Sequence, residues 1–178
     1  MDLKQLLTQK RLAILERWLH LIFESYPVDT SKSLGQNRDR FTNPVGYVLA
    51  YETEILYDGL LQGMETDQLS IHLEKIVQIR SVQDFPPSQA VAVIPLLKRA
   101  IQELLEGSDI DRQPMLKQWF EFERRIDHLS LLAFDIYSKY RERISEIRLD
   151  EARKERDRTL RLLERMNPHP KGPSESVG

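Results

Sequence analysis

Near the N-terminus, apolar residues recur at three- and four-residue steps: Leu3, Leu6, Leu7, Ile14, Leu15, Trp18, Leu19, Ile22 and Phe23. That is the period of one helical face, and it predicts an amphipathic helix over residues 2–25. Pro27 ends it, because the residue before a proline is pushed out of the helical region. Residues 28–42 read as a polar connection with a short helix near Arg38–Phe41. The Asn43-Pro44 step is a helix start, with Asn43 capping and Pro44 at the first position, where a missing N–H costs nothing. This helix runs to about Leu61, and Gly63 closes it.

The next stripe, Leu69, Leu73, Ile76, Val77 and Ile79, predicts a helix capped by Thr66 or Asp67. It stops near Asp84, since Phe85 precedes Pro86 and Pro87. From Ser88 a helix begins with Ala90–Ile94 and continues through Leu96, Leu97, Ala100, Ile101, Leu104 and Leu105 to Gly107. It is apolar on nearly every face and so belongs at the centre of the fold. Pro95 kinks it or marks its first turns. Residues 112–166 form the longest helical stretch, ended by Pro168 and Pro170. The expected fold is all-α, with about five main helices and no strand.

Composition narrows the function classes. The chain has 178 residues, 26 Lys plus Arg and 28 Asp plus Glu. One domain is the length prior, and near-neutrality argues against a dedicated nucleic-acid binder. There is no cysteine, which excludes disulfides, thiolate nucleophiles, thiolate zinc sites and iron–sulfur clusters. The polar N-terminus lacks a signal-peptide core, and no apolar run approaches the ~20 residues of a membrane span. A cytoplasmic protein without membrane insertion is the expectation.

Residues that carry chemistry are sparse. His20, His72, His128 and His169 stand in no His-Glu-x-x-His pattern. Carboxylates such as Glu52/Glu54 and Glu121/Glu123 are two apart and point to different sides of a helix. No serine lies in Gly-x-Ser-x-Gly, and there is no glycine-rich phosphate loop. No catalytic residue, metal site or cofactor is therefore expected, and the chain reads as a non-enzyme. One polar corner stands out, formed by Arg80, Gln83, Asp84, Ser88 and Gln89 between two apolar helices. In one reading Asp84 or Ser88 caps the following helix and Arg80 pairs with a carboxylate. In the other the corner contacts a ligand or partner.

Four segments, WLHLIFESYP (18–27), RFTNPVG (40–46), ILYDGLLQG (55–63) and IVQIRSVQDFPPSQA (76–90), carry a family resemblance. The chain resembles, over roughly residues 10–106, the N-terminal domain of RsbRD-type co-antagonist proteins, relatives of the RsbR sensors of bacterial stressosomes. The resemblance implies a globin-like helical sensor module without haem, usually dimeric, acting on a protein partner in a signalling pathway. In the family a linker helix and then a STAS domain or a histidine-kinase module commonly follow. Here the sequence stops after the linker helix, without a STAS domain or its phospho-acceptor threonines, so a stand-alone sensor or adaptor is expected. The globin likeness raises one alternative, a haem- or small-molecule-binding sensor using His72. A haem ligand faces an apolar pocket, whereas His72 falls beside the Leu69–Leu73–Ile76 stripe.

Three regions are expected: a globin-like sensor domain over 1–140, a charged helix over 141–166, and a disordered tail over 167–178. Ile136, Tyr137, Tyr140, Ile144 and Ile147 are spaced as a helix seam. Arg148–Arg158 then holds nine charged residues in eleven, and the seam thins. A solvated helix laced by pairs such as Asp150–Lys154, a dimer stalk and a partner-docking helix are all compatible with this pattern. The preferred expectation is a homodimer with contacts from Ile126, Leu129, Phe134, Ile136, Tyr140, Ile144 and Ile147.

Overall fold

A computed structural model describes residues 2–36, 39–83, 85–106 and 113–166. Among these residues every regular element is helical: α1 (Leu3–Gln9), α2 (Arg11–Glu24), α3 (Val28–Gln36), α4 (Pro44–Gln62), α5 (Thr66–Val82), α6 (Pro87–Val91), α7 (Leu96–Glu106), a single 3-10 turn (Gln113–Met115) and α8 (Leu116–Met166). The chain divides into a compact unit over 1–141 and a second over 142–178. Arg38 and the tail beyond Met166, with its expected disorder, lie outside the described residues.

Local chemistry sets most boundaries. Asp2 and Gln5 form a reciprocal capping box at the start of α1, satisfying two backbone N–H groups that the first turn leaves without helical partners. Asn43 caps α4 as its position suggests, its Oδ1 accepting from the Gly46 N–H at 2.9 Å. Its Nδ2 donates to the Leu34 carbonyl at 2.9 Å, tying the α3 end to the α4 start. Gly63 stops α4 at φ 81°, a conformation that a Cβ disfavours. Because Asn43 makes both bonds while buried, Asn43→Ala is expected to cost about 2 kcal/mol, the upper range for a cap. Chemical denaturation should show this as a lower midpoint at unchanged slope.

The structure differs from the sequence expectations at several joints; α5, expected to be capped by Thr66 or Asp67, has Glu65 at its cap position and no side-chain cap. The expected helix over 2–25 is two helices, separated at Lys10 (φ −91°, ψ 6°). The Leu7 carbonyl, which an unbroken helix would offer to the Arg11 N–H, accepts the buried Tyr57 hydroxyl at 2.9 Å. Residues 28–36 are helical although they read as a connection: the Pro27 carbonyl receives the Ser31 N–H, and Leu34 is buried. The expected helix from Ser88 to Gly107 is broken. Pro95 has no N–H for the Val91 carbonyl, residues 92–95 form turns, and α7 begins at Leu96. The Val93 carbonyl, released from the ladder, accepts the Trp18 indole N–H at 2.6 Å.

Within the 1–141 unit, α2 packs on α7 and α4 on α5. The core runs from Leu3, Leu6 and Leu7 through Ile14, Trp18 and Ile22 to Leu49, Leu56, Leu73, Ile76, Ile94, Leu97 and Ile101. The first part of α8 contributes Phe122, Ile126, Leu129, Ala133 and Tyr137, a four-three-four-four spacing that keeps one face inward. In the second unit, described over 142–166, Ile144 is half-buried and every other residue is exposed.

Candidate functional site

The α2 and α5 C-termini and the α6 start meet at the corner that holds Arg80. Tyr26-Pro27 ends one segment and Phe85-Pro86 ends the other, so two aromatic–proline steps bracket the junction. The Tyr26 and Phe85 rings stand edge to face, with centroids 5.0 Å apart. Arg80 lies against both, its Cζ 4.0 Å from the Phe85 centroid and 5.1 Å from that of Tyr26. Such cation–π contacts each contribute about 0.5–2 kcal/mol.

Arg80 is fully buried, at 0% exposure. Its Nη2 donates to Ser25 Oγ at 3.0 Å and to the Gln89 carbonyl at 2.9 Å. Its Nε and Nη1 have no hydrogen-bond partner among the described residues, and no described carboxylate pairs with it. Burial pushes the Arg80 guanidinium below its ordinary range. Burial also pushes the Tyr26 phenol up, against the pull of the Arg80 charge, while the Tyr26 hydroxyl donates to Gln83 Oε1 at 3.0 Å.

Beside this corner lies an open cleft of about 490 Å³, lined by Ser25, Tyr26, Pro27, Thr30, Gln83, Phe85, Pro86 and Gln89; Arg80 is buried behind that wall. None of the described lining residues is charged. Two long bonds join the corner to α8: the Tyr137 hydroxyl donates to the Phe85 carbonyl at 3.4 Å, and Arg141 Nη1 to the Ser81 carbonyl at 3.5 Å.

Of the corner residues expected from sequence, the structure brings Arg80, Gln83 and Gln89 together, Gln89 through its backbone. Ser88 is exposed within the first turn of α6 and does not cap it, since the cap position is Pro86. Asp84 lies outside the described residues. The expected carboxylate partner for Arg80 is replaced by aromatic faces and a hydroxyl. Sequence reasoning missed Ser25, Tyr26 and Phe85; the signal for them was the repeated aromatic–proline step at two helix ends.

His72 is half-buried, and its Nδ1 lies 2.7 Å from Glu52 Oε2, while Lys75 Nζ donates to Glu52 Oε1 at 2.8 Å. Glu52 is buried, so these two groups supply the polar partners its carboxylate needs. His72 does not line the cleft beside Arg80. A larger cleft of about 570 Å³ lies between α4, α5 and α8, with Glu121, Asp127, Arg124 and His128 at its rim. There Arg125 is engaged with the Leu60 and Met64 carbonyls at the α4 end.

The residues expected at a dimer contact separate by burial. Ile126 and Leu129 are buried at 0% and 2% in the chain's own core, which corrects their assignment to an intermolecular surface. In the first unit Ile136 and Tyr140 are half-buried, Tyr140 donating to Glu74 Oε1 at 2.9 Å, and Phe134 is exposed. In the second unit Ile147 is exposed and Ile144 half-buried. Lys154 lies 3.8 Å from Asp150, a surface pair worth a few tenths of a kcal/mol.

A surface charge cluster joins α2 to α7 through Arg17, Arg99 and Glu103. Hydrogen bonds from Arg17 and then Arg99 hold the Glu103 carboxyl down to about 2. A depressed carboxylate stabilises the fold above its unfolded value of ~4.3, and that contribution is lost as pH falls toward 2. The Glu103 side-chain NMR titration is expected to have its midpoint near 2, and to return to the ordinary carboxylate range in Arg17→Gln/Arg99→Gln.

Among the described residues there is no group of three or more His, Cys, Asp or Glu arranged to hold a metal. Nor is any helix long and apolar enough to cross a membrane. The described residues thus form an all-α domain and a charged helix that follows it in sequence. The chain matches the family model of the RsbT co-antagonist protein rsbRD N-terminal domain over residues 12–152, and it belongs to that family. The family is one of stressosome-type signalling sensor modules, not a known enzyme family. No curated protein and no solved structure matches the chain.

Proposed function

We propose that this protein is a non-enzymatic, cytoplasmic sensor or adaptor that binds a ligand or partner at the Arg80 corner and acts through protein–protein contacts. One observation carries the reading: two of the segments that carry the family resemblance, 18–27 and 76–90, converge on this corner, around a buried cation whose hydrogen bonding is incomplete. Tyr137 and Arg141 of α8 touch the same corner, so a rearrangement there reaches the helix that leads into the second unit.

The output is self-association. In the first unit Phe134, with Ile136 and Tyr140 beside it, supplies one contact; in the second, Ile144 and Ile147 supply another. Light scattering coupled to size exclusion is expected to give twice the 21.0 kDa chain mass. Phe134→Asp and Ile147→Asp should each shift the protein toward monomer. A wild-type protein that stays monomeric at high concentration would overturn the dimer.

A further inference from the structure

We infer that the Arg80 corner is a receptor site for the carboxylate of a small organic acid, the guanidinium being the cation that the ligand neutralises. The inference rests on the sensing role proposed above and names its ligand class. An arginine carries five donors and stays charged in proteins. Leaving two of its nitrogens unbonded in a dry site costs free energy that folding alone does not recover. Here both Nε and Nη1 are in that state, and the described residues that wall the neighbouring cleft are neutral, with Ser25 and Gln89, the two hydrogen-bond partners of Arg80, among them.

Charge and shape select the ligand. One desolvated cation matches one negative charge, which favours a monocarboxylate over a phosphate dianion. The planar fork pairs with a carboxylate in a bidentate manner. About 490 Å³ falls in the range of small-molecule sites, and the Tyr26 and Phe85 rings with Pro27 and Pro86 offer apolar walls for the ligand's body.

Entry requires one exchange. Ser25 lines the cleft and holds one Nη2 hydrogen through its oxygen, while its own hydroxyl donates to the Ile22 carbonyl at 2.6 Å. A carboxylate arriving from the cleft takes that Nη2 hydrogen with one oxygen and an unbonded Nη1 or Nε hydrogen with the other. Ser25 keeps its donated bond. The Phe85 ring yields to admit the ligand, and the Phe85 carbonyl, bonded to Tyr137, passes the displacement to α8.

The test is side-chain NMR of the full-length protein. The Arg80 Nε–H resonance, assigned by its absence in Arg80→Lys, is followed during titration with formate, acetate and benzoate at constant ionic strength. Chloride, benzamide and inorganic phosphate serve as comparison arms. A saturable shift with at least one carboxylate, and none with chloride or benzamide, is expected. In parallel, benzoate should raise the wild-type melting temperature, and Arg80→Met should weaken its binding by about 10- to 100-fold, the range of a charge-assisted pair.

No shift with any of the three acids up to about 0.1 M, well beyond the ~1 mM affinity scale of small fragments, overturns the inference. So does a response to phosphate alone, or benzoate binding undiminished in Arg80→Met. If the methionine variant does not fold, the wild-type titration decides by itself. A protein that dimerises while Arg80 ignores carboxylates sinks this site and leaves the signalling reading; a monomer that binds acetate does the opposite.

Discussion

Trp18→Ala is expected to cost about 4–5 kcal/mol, enough to remove most of the stability of a typical domain. Trp18 is among the largest fully buried side chains, at 1% exposure. Its truncation leaves a cavity between α2 and the α6–α7 break, and the cost of such cavities rises with their volume. The loss has a second part. The Val93 carbonyl, outside any helical ladder because of Pro95, accepts the indole N–H, and without it a buried acceptor stands unpaired at about 1–3 kcal/mol. Thermal unfolding followed by circular dichroism should show the melting temperature lowered by roughly 10–20 °C. Trp18→Phe separates the two parts: it refills much of the volume but leaves Val93 unpaired, so it should lie between wild type and alanine. A phenylalanine variant as stable as wild type would show that the hydrogen bond contributes nothing net.

The second large effect is a contrast between two substitutions of one residue. Arg80→Ala removes a fully buried long side chain and exposes the Phe85 and Tyr26 faces to a void, with an expected loss of about 3–4 kcal/mol. Arg80→Met keeps most of the volume and removes the charge. It forfeits two hydrogen bonds, to Ser25 Oγ and the Gln89 carbonyl, each worth about 1–3 kcal/mol to a charged donor. It also forfeits the cation–π contacts. Against this it abolishes the desolvation of an unpaired cation, several kcal/mol. The two sides nearly cancel, and in ligand-free protein Arg80→Met is expected within about 1 kcal/mol of wild type. Chemical denaturation of the two variants side by side checks this. A methionine variant as unstable as alanine would mean that the aromatic faces and the Ser25 oxygen already satisfy the cation.

The legible and illegible parts of the fold divide on how local the deciding interaction is. The start of α4 was legible because Asn43 and Pro44 are adjacent in sequence and act within one turn. Its end was legible because Gly63 carries its own conformational permission. The Lys10 joint was not, since the group that competes for the Leu7 carbonyl is a tyrosine on α4, Tyr57. Helix α3 was illegible because one buried leucine, Leu34, makes no periodic stripe. Pro95 signals a disruption, but whether it kinks or divides a helix depends on whether the released carbonyls find partners, and Trp18 is remote in sequence.

The site divides the same way. Arg80, Gln83 and Gln89 stood out as polar residues between apolar helices, but the pattern did not show that Arg80 faces inward. On a helical wheel Arg80 follows Ile76 by four and Leu73 by seven, which places it on the buried stripe; this was the available signal. What the stripe does not contain is the pair of rings that receive the cation, because Tyr26 belongs to the preceding helical pair. For His72, the decisive partner was Glu52, on α4 and buried. A spacing rule within α5 has no access to it.

The exposed final stretch of α8 has a consequence for time rather than shape. Over residues 145–166 every side chain is exposed, so opening any turn there breaks backbone hydrogen bonds without tearing a core. Most helical stability in proteins comes from packing one face against a core, which this stretch lacks, and weakly held regions open at little free-energy cost. Amide protons there should exchange with solvent orders of magnitude sooner than those around Ile126, and trypsin should cleave at its many arginines first. The number of ordered turns is then a continuous variable, set by temperature, ionic strength and the concentration of whatever the helix meets.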